Sequence, residues 1–327
     1  MKLASINNGT RDGQLVVVNN DLNKAVKVEN INTLQQALDT WTESSLELQK
    51  IADRLENGSI DGIFDFTESN VMAPIPRAYH WVDGSAYVTH VELVRKARGA
   101  ELPASFWEDP LVYMGASDAL IGANDDIEVE SEEWGIDFEA EVAVITDDVP
   151  AGTKAKDALK HIKLIAIVND VSLRNLIPVE LGKQFGFYQS KPWTSFSPVA
   201  VTPDELGDAW KDGKVHLPLI STLNNEKIGS PNAGVDMTFD FGKLIEHVSK
   251  TRSLMAGTII GSGTVANAGS VDGSSCLAEV RCLEIIEHGK PITPFMKFGD
   301  SIKIEMNDLN GKSVFGEINQ KVTEYTP

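Results

Sequence analysis

Residues Asp137 to Ile145 read DFEAEVAVI, and the reading of this stretch decides the fold. In an extended chain successive side chains point to opposite faces. Asp137, Glu139 and Glu141 therefore share one face, and Phe138, Ala140, Val142 and Val144 share the other. The alternation predicts a strand with one apolar and one acidic face. Two readings of the acidic face stand side by side. It is either the wet side of an antiparallel strand, meeting water or a neighbour's lysines, or a set of carboxylates gathered to hold a cation.

The next apolar run adds weight to the cation. LIAIVND, from Leu164 to Asp170, reads as a buried strand that ends in Asn169 and Asp170. If the two strands are neighbours, Glu139, Glu141 and Asp170 converge on one hard cation, which takes oxygen ligands and offsets the repulsion between carboxylates. No cysteine and no histidine pair stands nearby at ligand spacing, so magnesium, calcium or manganese fits better than zinc. A turn residue is the plainer reading of Asp170. Upstream, DGSAYVTHVELVRKARG sets Asp83 seven residues before His90 in a segment read as strand, where a single histidine is most often a packed or surface residue. Downstream, Gly261, Gly263 and Ala266 in IGSGTVANAG fit a loose dinucleotide fingerprint. That fingerprint needs a helix to start at once, and NAGSVDGSS is a poor helix former. No Walker lysine, nucleophile elbow or H-E-x-x-H motif is present.

Around these segments the chain divides into a small N-terminal unit, residues 1–72, and a larger one, residues 73–327. The opening 27 residues carry Asn-Gly-type and Asp-Gly turn signals between short β-rich pieces, which predicts hairpins. Thr33 caps a helix over LQQALDTW, and Leu48, Ile51, Ala52 and Leu55 form the stripe of a second helix closed by Gly58. Beyond residue 72 strands are predicted at SPVAVTP, VHLPLISTLN, GTIIGSGTV and LAEVRCLEI, with a closing hairpin of DSIKIEMND and KSVFGEINQKV about the turn at Leu309–Gly311. DALKHIK and FGKLIEHVSK read as helices. The sum is a β-rich α+β fold behind a small α/β unit.

Composition bounds the function. The 327 residues, 42% of them hydrophobic, suffice for one or two real cores. No apolar run reaches the length of a membrane span, and MKLASINNGT has no secretory core, so a soluble cytoplasmic protein is expected. Cys276 and Cys282 match no disulfide, zinc or redox pattern. A formal charge of −19, from 29 basic and 48 acidic residues, argues against nucleic acid or anionic membrane as a partner. An acidic small substrate is admissible where a bound cation and local basic groups reverse the field.

Taken together and in order, DFEAEVAVI, VNDVSLRN, the lysine ahead of SP in SKPWTSFSPVAV, FDFGKLIEHVSKT, IGSGTVAN and the FGD and FGEI near the end resemble the fumarylacetoacetate hydrolase family, from about Met72 onward. The resemblance implies a mixed β-sheet roll or barrel, one divalent cation and a homodimer. It makes Glu139, Glu141 and Asp170 metal ligands, with Asp83 as a further ligand and Asp137 as a neighbour only. His90 becomes the base, oriented by Glu279 on a strand. Lys191 takes the place beside the reacting carbonyl, with Lys183 as a rival, and Tyr113 and Thr264 become substrate contacts together with Arg98 or Arg95. The chain departs from the family pattern at Ile177, where glutamine is expected, and at Ser85, where tyrosine is expected and Tyr87 is the nearest substitute. The implied activity is metal-dependent hydrolysis of a carbon–carbon bond in a β-diketo acid, first of all fumarylacetoacetate in tyrosine breakdown. The alternatives are a decarboxylase, hydratase or tautomerase of 2-oxo or 2-hydroxydienoic acids, or a metal-stabilised binding protein without turnover.

Overall fold

A computed structural model describes residues 1–67, 71–97 and 99–326. The chain opens with β1 (Lys2–Ile6), β2 (Gln14–Val18), β3 (Lys24–Lys27), helices α1 (Leu34–Asp39) and α2 (Trp41–Glu56), and β4 (Phe64–Asp65). Next come β5 (Trp81–Gly84), α3 (Val88–Ala97), β6 (Val112–Met114), β7 (Ile127–Val129), β8 (Ile136–Asp137) and β9 (Ala140–Thr146). Then α4 (Ala155–Ala158), β10 (Ile162–Asn169), β11 (Ser172–Leu173), α5 (Ile177–Gly182), β12 (Ser195–Phe196) and β13 (Ala200–Val201) follow. The rest comprises β14 (Trp210–Lys211), β15 (Lys214–Val215), β16 (Leu219–Leu223), β17 (Glu226–Gly229), α6 (Phe241–Val248), β18 (Ile259–Gly261), α7 (Leu277–His288), β19 (Ser301–Asn307) and β20 (Ser313–Glu324).

The β-rich α+β expectation holds. Eleven strands form one mixed sheet in the order β4-β3-β2-β1-β13-β10-β9-β18-β5-β6, with β12 added on β10. A second sheet runs β17-β16-β19-β20-β7, its β19–β20 pair being the expected closing hairpin. Neither sheet closes on itself among the described residues, so the fold is an open roll and not a barrel. Pairing of Lys2 with Val201 and of Leu3 with Ala200 carries the large sheet from the N-terminal strands into the rest of the chain.

Alternation along β9 and β10 divides their side chains between two cores. Phe138, Ala140, Val142 and Val144 belong to the larger one with Ile165 and Ile167, whereas Ala143 and Ile145 join Leu164, Ala166 and Val168 in the other. The second core is roofed by α1 and α2 through Leu34, Leu38, Leu48, Ala52 and Leu55. Thr33 caps α1 as expected, in a full capping box with Gln36. This roof overturns the picture of a half-wet strand: every residue from Ile136 to Thr146 is buried. The strand is also interrupted at Phe138–Glu139, between β8 and β9.

Three element assignments change. LAEVRCLEI is the helix α7 and not a strand, because Cys276 caps it and Gly289 ends it in the left-handed region at φ 76°. Only Leu277 and Glu279 of that helix are buried, so no apolar stripe betrays the helical period. His90 lies in the first turn of α3 and not on a strand. DALKHIK is helical only in part, since α4 ends at Ala158, a 3₁₀ turn covers Leu159–His161, and Ile162 already belongs to β10.

Candidate active site

The face of the second core continues, at one end of five adjacent strands, into charge. Trp81 in β5, Ile145 in β9, Leu164 in β10 and Ile259 in β18 are core residues of that face. Two-residue steps from them reach Asp83, Glu141, Asp170 just past β10, and Gly261. Tyr113 in β6 pairs with Asp83, and Gly261 pairs with Asp83 on its other side. Oxygens of Asp83, Glu141 and Asp170 lie within 4.8 Å of one another, and all three residues are buried. Gly261 supplies the clearance: a Cβ there would stand 2.3 Å from Asp83 Oδ1. Gly263, at φ 73°, donates its N–H to the same oxygen at 3.0 Å. The G-x-G spacing thus serves a carboxylate, and the first helical turn after it begins only at Ala268.

Partners divide these acids. Asp170 accepts from Tyr113 Oη at 2.5 Å, Lys191 Nζ at 2.6 Å and Thr194 Oγ1 at 2.8 Å. Glu139 stands outside the triad and accepts from Lys191 Nζ at 2.5 Å and Arg174 Nη2 at 2.8 Å. Burial alone would raise the Glu139 carboxyl, but Lys191 and Arg174 hold it below the usual range. Asp137 accepts from Arg174 Nε at 2.8 Å and from the backbone N–H groups of Leu277 and Ala278 at 2.8 and 2.9 Å, so it anchors the N-terminus of α7. Glu141 differs from all of these. It is fully buried and neither of its oxygens meets a donor; the group within reach is the Asp83 carboxyl, with which it shares a hydrogen bond only when one of the two is protonated. Burial, then Asp83 and Asp170, push its carboxyl well up, and burial followed by Asp170 pushes Asp83 up to about 8.

An orphaned carboxylate between two others is a donor set that calls for a positive charge. All the available atoms are oxygens, and they fit a hard divalent cation of the magnesium, calcium or manganese kind. The identity of the ion does not follow from the donors.

The remaining residues singled out in the sequence fall as follows. His90 Nδ1 faces Glu279 Oε2 at 3.8 Å, and neither atom has a hydrogen-bond partner. Glu279 comes from helix α7 and not from a strand. Lys191 is buried between Glu139 and Asp170, on a loop fixed by Glu180, which accepts from the N–H groups of Tyr188, Gln189 and Ser190 at 2.6–3.2 Å. Its rival Lys183 is exposed at the end of α5. Thr264 is buried in the loop after β18, next to Gly263. Arg95 is engaged by the Glu101 carbonyl at 3.0 Å and the Phe106 ring at 4.9 Å, and Arg98 lies outside the described residues. Tyr87, the nearest substitute for the expected tyrosine, is buried and its hydroxyl donates to the Ala233 carbonyl at 2.6 Å. Ile177 is buried at the start of α5. A cleft of about 1020 Å³ opens beside Lys191 between Met114, Tyr188 and Trp193. Sequence reasoning missed Arg174 and Thr194. Arg174 sits inside the quoted VNDVSLRN, but nothing in loop spacing says which acids a loop arginine will reach.

The model of the fumarylacetoacetate (FAA) hydrolase C-terminal region matches residues 79–323, and that of the fumarylacetoacetase N-terminal domain 2 matches residues 1–77. Oxaloacetate tautomerase YisK of Bacillus subtilis is 28% identical over 253 residues, 76% of this chain and 73% of its own. The 2,4-didehydro-3-deoxy-L-rhamnonate hydrolase of Sphingomonas sp. strain SKA58 is 27% identical over 220 residues, 66% of each chain. Among solved structures, maleylpyruvate hydrolase from Sphingobium sp. SYK-6, in complex with manganese(II) and pyruvate, superposes over the full length of both chains with a TM-score of 0.65 at 15% identity. At that identity the likeness concerns the fold.

Proposed function

We propose that this chain, which belongs to the fumarylacetoacetate hydrolase family, is a divalent-cation-dependent hydrolase of a carbon–carbon bond in an acidic β-dicarbonyl substrate, with fumarylacetoacetate the first candidate. One observation carries the reading: a partnerless buried carboxylate, Glu141, stands between Asp83 and Asp170 in the same site as a histidine–glutamate pair. His90 is near enough to Glu139 for its charge to act on that carboxyl.

Asp83, Glu141 and Asp170 would hold the cation, with Glu139 joining them when Lys191 turns toward substrate. When bound, the cation supplies Lewis-acid polarisation of the paired carbonyl oxygens. Closing the 3.8 Å gap lets Glu279 accept from His90 Nδ1–H, which leaves Nε2 free to take a proton from water. General-base help of this kind is worth about 10²–10⁴ in rate. Hydroxide adds to the ketone carbon, the carbon–carbon bond breaks, and its electron pair leaves as an enolate. The imidazolium returns the proton to that carbon. Lys191 stabilises the oxygen that gains charge. In this reading residues 1–72 form a small domain whose strands extend the large sheet and whose helices roof it, the setting is aromatic breakdown in the cytoplasm, and the assembly is a homodimer.

A second reading, keto–enol tautomerisation of a 2-oxo acid, is favoured by the oxaloacetate tautomerase activity for which the YisK relative is named and by Ile177 in place of the expected glutamine. It uses the same base and cation without consuming water. Magnesium-loaded protein should convert fumarylacetoacetate to fumarate and acetoacetate, followed by loss of diketone absorbance, and chelator should abolish the change. Enol–keto interconversion of oxaloacetate with no cleavage would replace the first reading by the second.

A further inference from the structure

His90, Cys276 and Glu279 bring a nitrogen, a sulfur and an oxygen within 4.8 Å of one another. This donor set differs in kind from the all-oxygen triad, because a thiolate and an imidazole select softer ions. Two of its atoms are orphaned: Glu279 Oε2, on a residue 2% exposed, and His90 Nδ1. The frame beneath them is rigid. Cys276 caps α7, its sulfur accepting from the Glu279 N–H at 3.4 Å, and Asp137 pins the next two N–H groups. The sulfur sits at the N-terminus of a 12-residue helix, beside the Asp137 carboxylate that already takes two of the helix's free N–H groups.

We infer that His90, Cys276 and Glu279 form a second metal site, suited to a zinc-class ion, whose occupation withdraws the base from catalysis. The inhibitory consequence rests on His90 acting as the base, whereas the binding does not. Tetrahedral zinc holds nitrogen, oxygen and sulfur donors about 3.3–3.8 Å apart, so the triad closes by about 1 Å on binding. His90, in the first turn of α3 with 17% of its side chain exposed, is the member with room to move. Three protein donors leave the fourth position open to water or to an oxygen of the substrate. Burial raises the Cys276 thiol, so uptake releases a proton and tightens as pH rises.

The test saturates the full chain with magnesium, which occupies the oxygen triad, and then titrates zinc by equilibrium dialysis and cobalt(II) by absorbance. One further zinc per chain, a sulfur-to-cobalt charge-transfer band and a parallel loss of turnover are expected. Cys276→Ser keeps the helix cap, since serine is a preferred N-cap residue. It should keep turnover, lose the cobalt band and bind zinc at least about tenfold more weakly. Absence of the band in the wild-type protein, or unchanged zinc affinity in Cys276→Ser, would overturn the site. The wild-type spectrum needs no variant to fold. Stoichiometry and spectrum are read without turnover, so a protein inactive on diketo acids would sink the hydrolase reading and leave this one standing.

Discussion

Glu139 and Glu141 stand two residues apart, are both buried, and differ in their hydrogen-bond partners. Glu139 is answered on both oxygens, by Lys191 and Arg174, while Glu141 is answered on neither. Two carboxylates of one sequence motif thus occupy opposite electrostatic states. The first is a member of an ion network that fixes loops and a helix, and the second carries a charge that no basic group of the chain answers. A motif names the acids, and their partners decide which of them a cation meets.

Substitutions that exchange these states give the largest effects. Glu141→Gln removes the orphaned charge, and turnover should fall by about 10⁴-fold or more with loss of bound cation, measured by kinetics and metal analysis together. His90→Ala leaves the triad untouched, so cation stoichiometry should stay at one while turnover falls by about 10²–10⁴-fold. A fully active His90→Ala protein would remove it from the mechanism. Arg174→Met removes one partner from each of Asp137 and Glu139, leaving the first on the α7 N–H groups and the second on Lys191, and should cost about 1.5–3 kcal/mol of folding stability in a denaturant titration. Equal stability of Arg174→Met and wild type would mean that the two acids find other partners.

The smallest effect concerns pH. Asp83 is pushed up to about 8, above its unfolded value, so the folded chain favours the protonated acid. Its contribution to stability is complete below the unfolded value near 3.8 and is lost as pH rises through about 8. Chelated protein should therefore lose thermal stability progressively between about pH 4 and about pH 8 and level off above it, and cation-loaded protein should lose less, since ligation favours the ionised acid. Identical melting curves with and without cation at the higher pH would break the contrast between the answered and the unanswered acids.

Much of this was legible in local pattern. Alternation located β9, the apolar run located β10, and the spacing of Glu141 and Asp170 placed both at one end of paired strands. What stayed hidden depended on distance along the chain. The acid-bearing face is dry because α1 and α2, about a hundred residues upstream, cover its apolar continuation. Glu139 is neutralised by a lysine 52 positions away. Helix α7 was unreadable for a different reason: it buries so little apolar surface that its period never shows, and its start is set by Asp137, 140 residues upstream of Leu277. The conformation at His90 was not legible, since VTHVELV satisfies strand and helix patterns alike.

The missing side chain of Gly261 has one more consequence. Its backbone is ordinary, so alanine there strains no dihedral angle, yet the added methyl would collide with Asp83 Oδ1. The same methyl would stand 2.5 Å from the buried Trp81 ring, so the exchange disturbs the second core as well as the acid cluster. The defect would be inherited by the ion, as a raised metal requirement in a chain whose ligands are all intact.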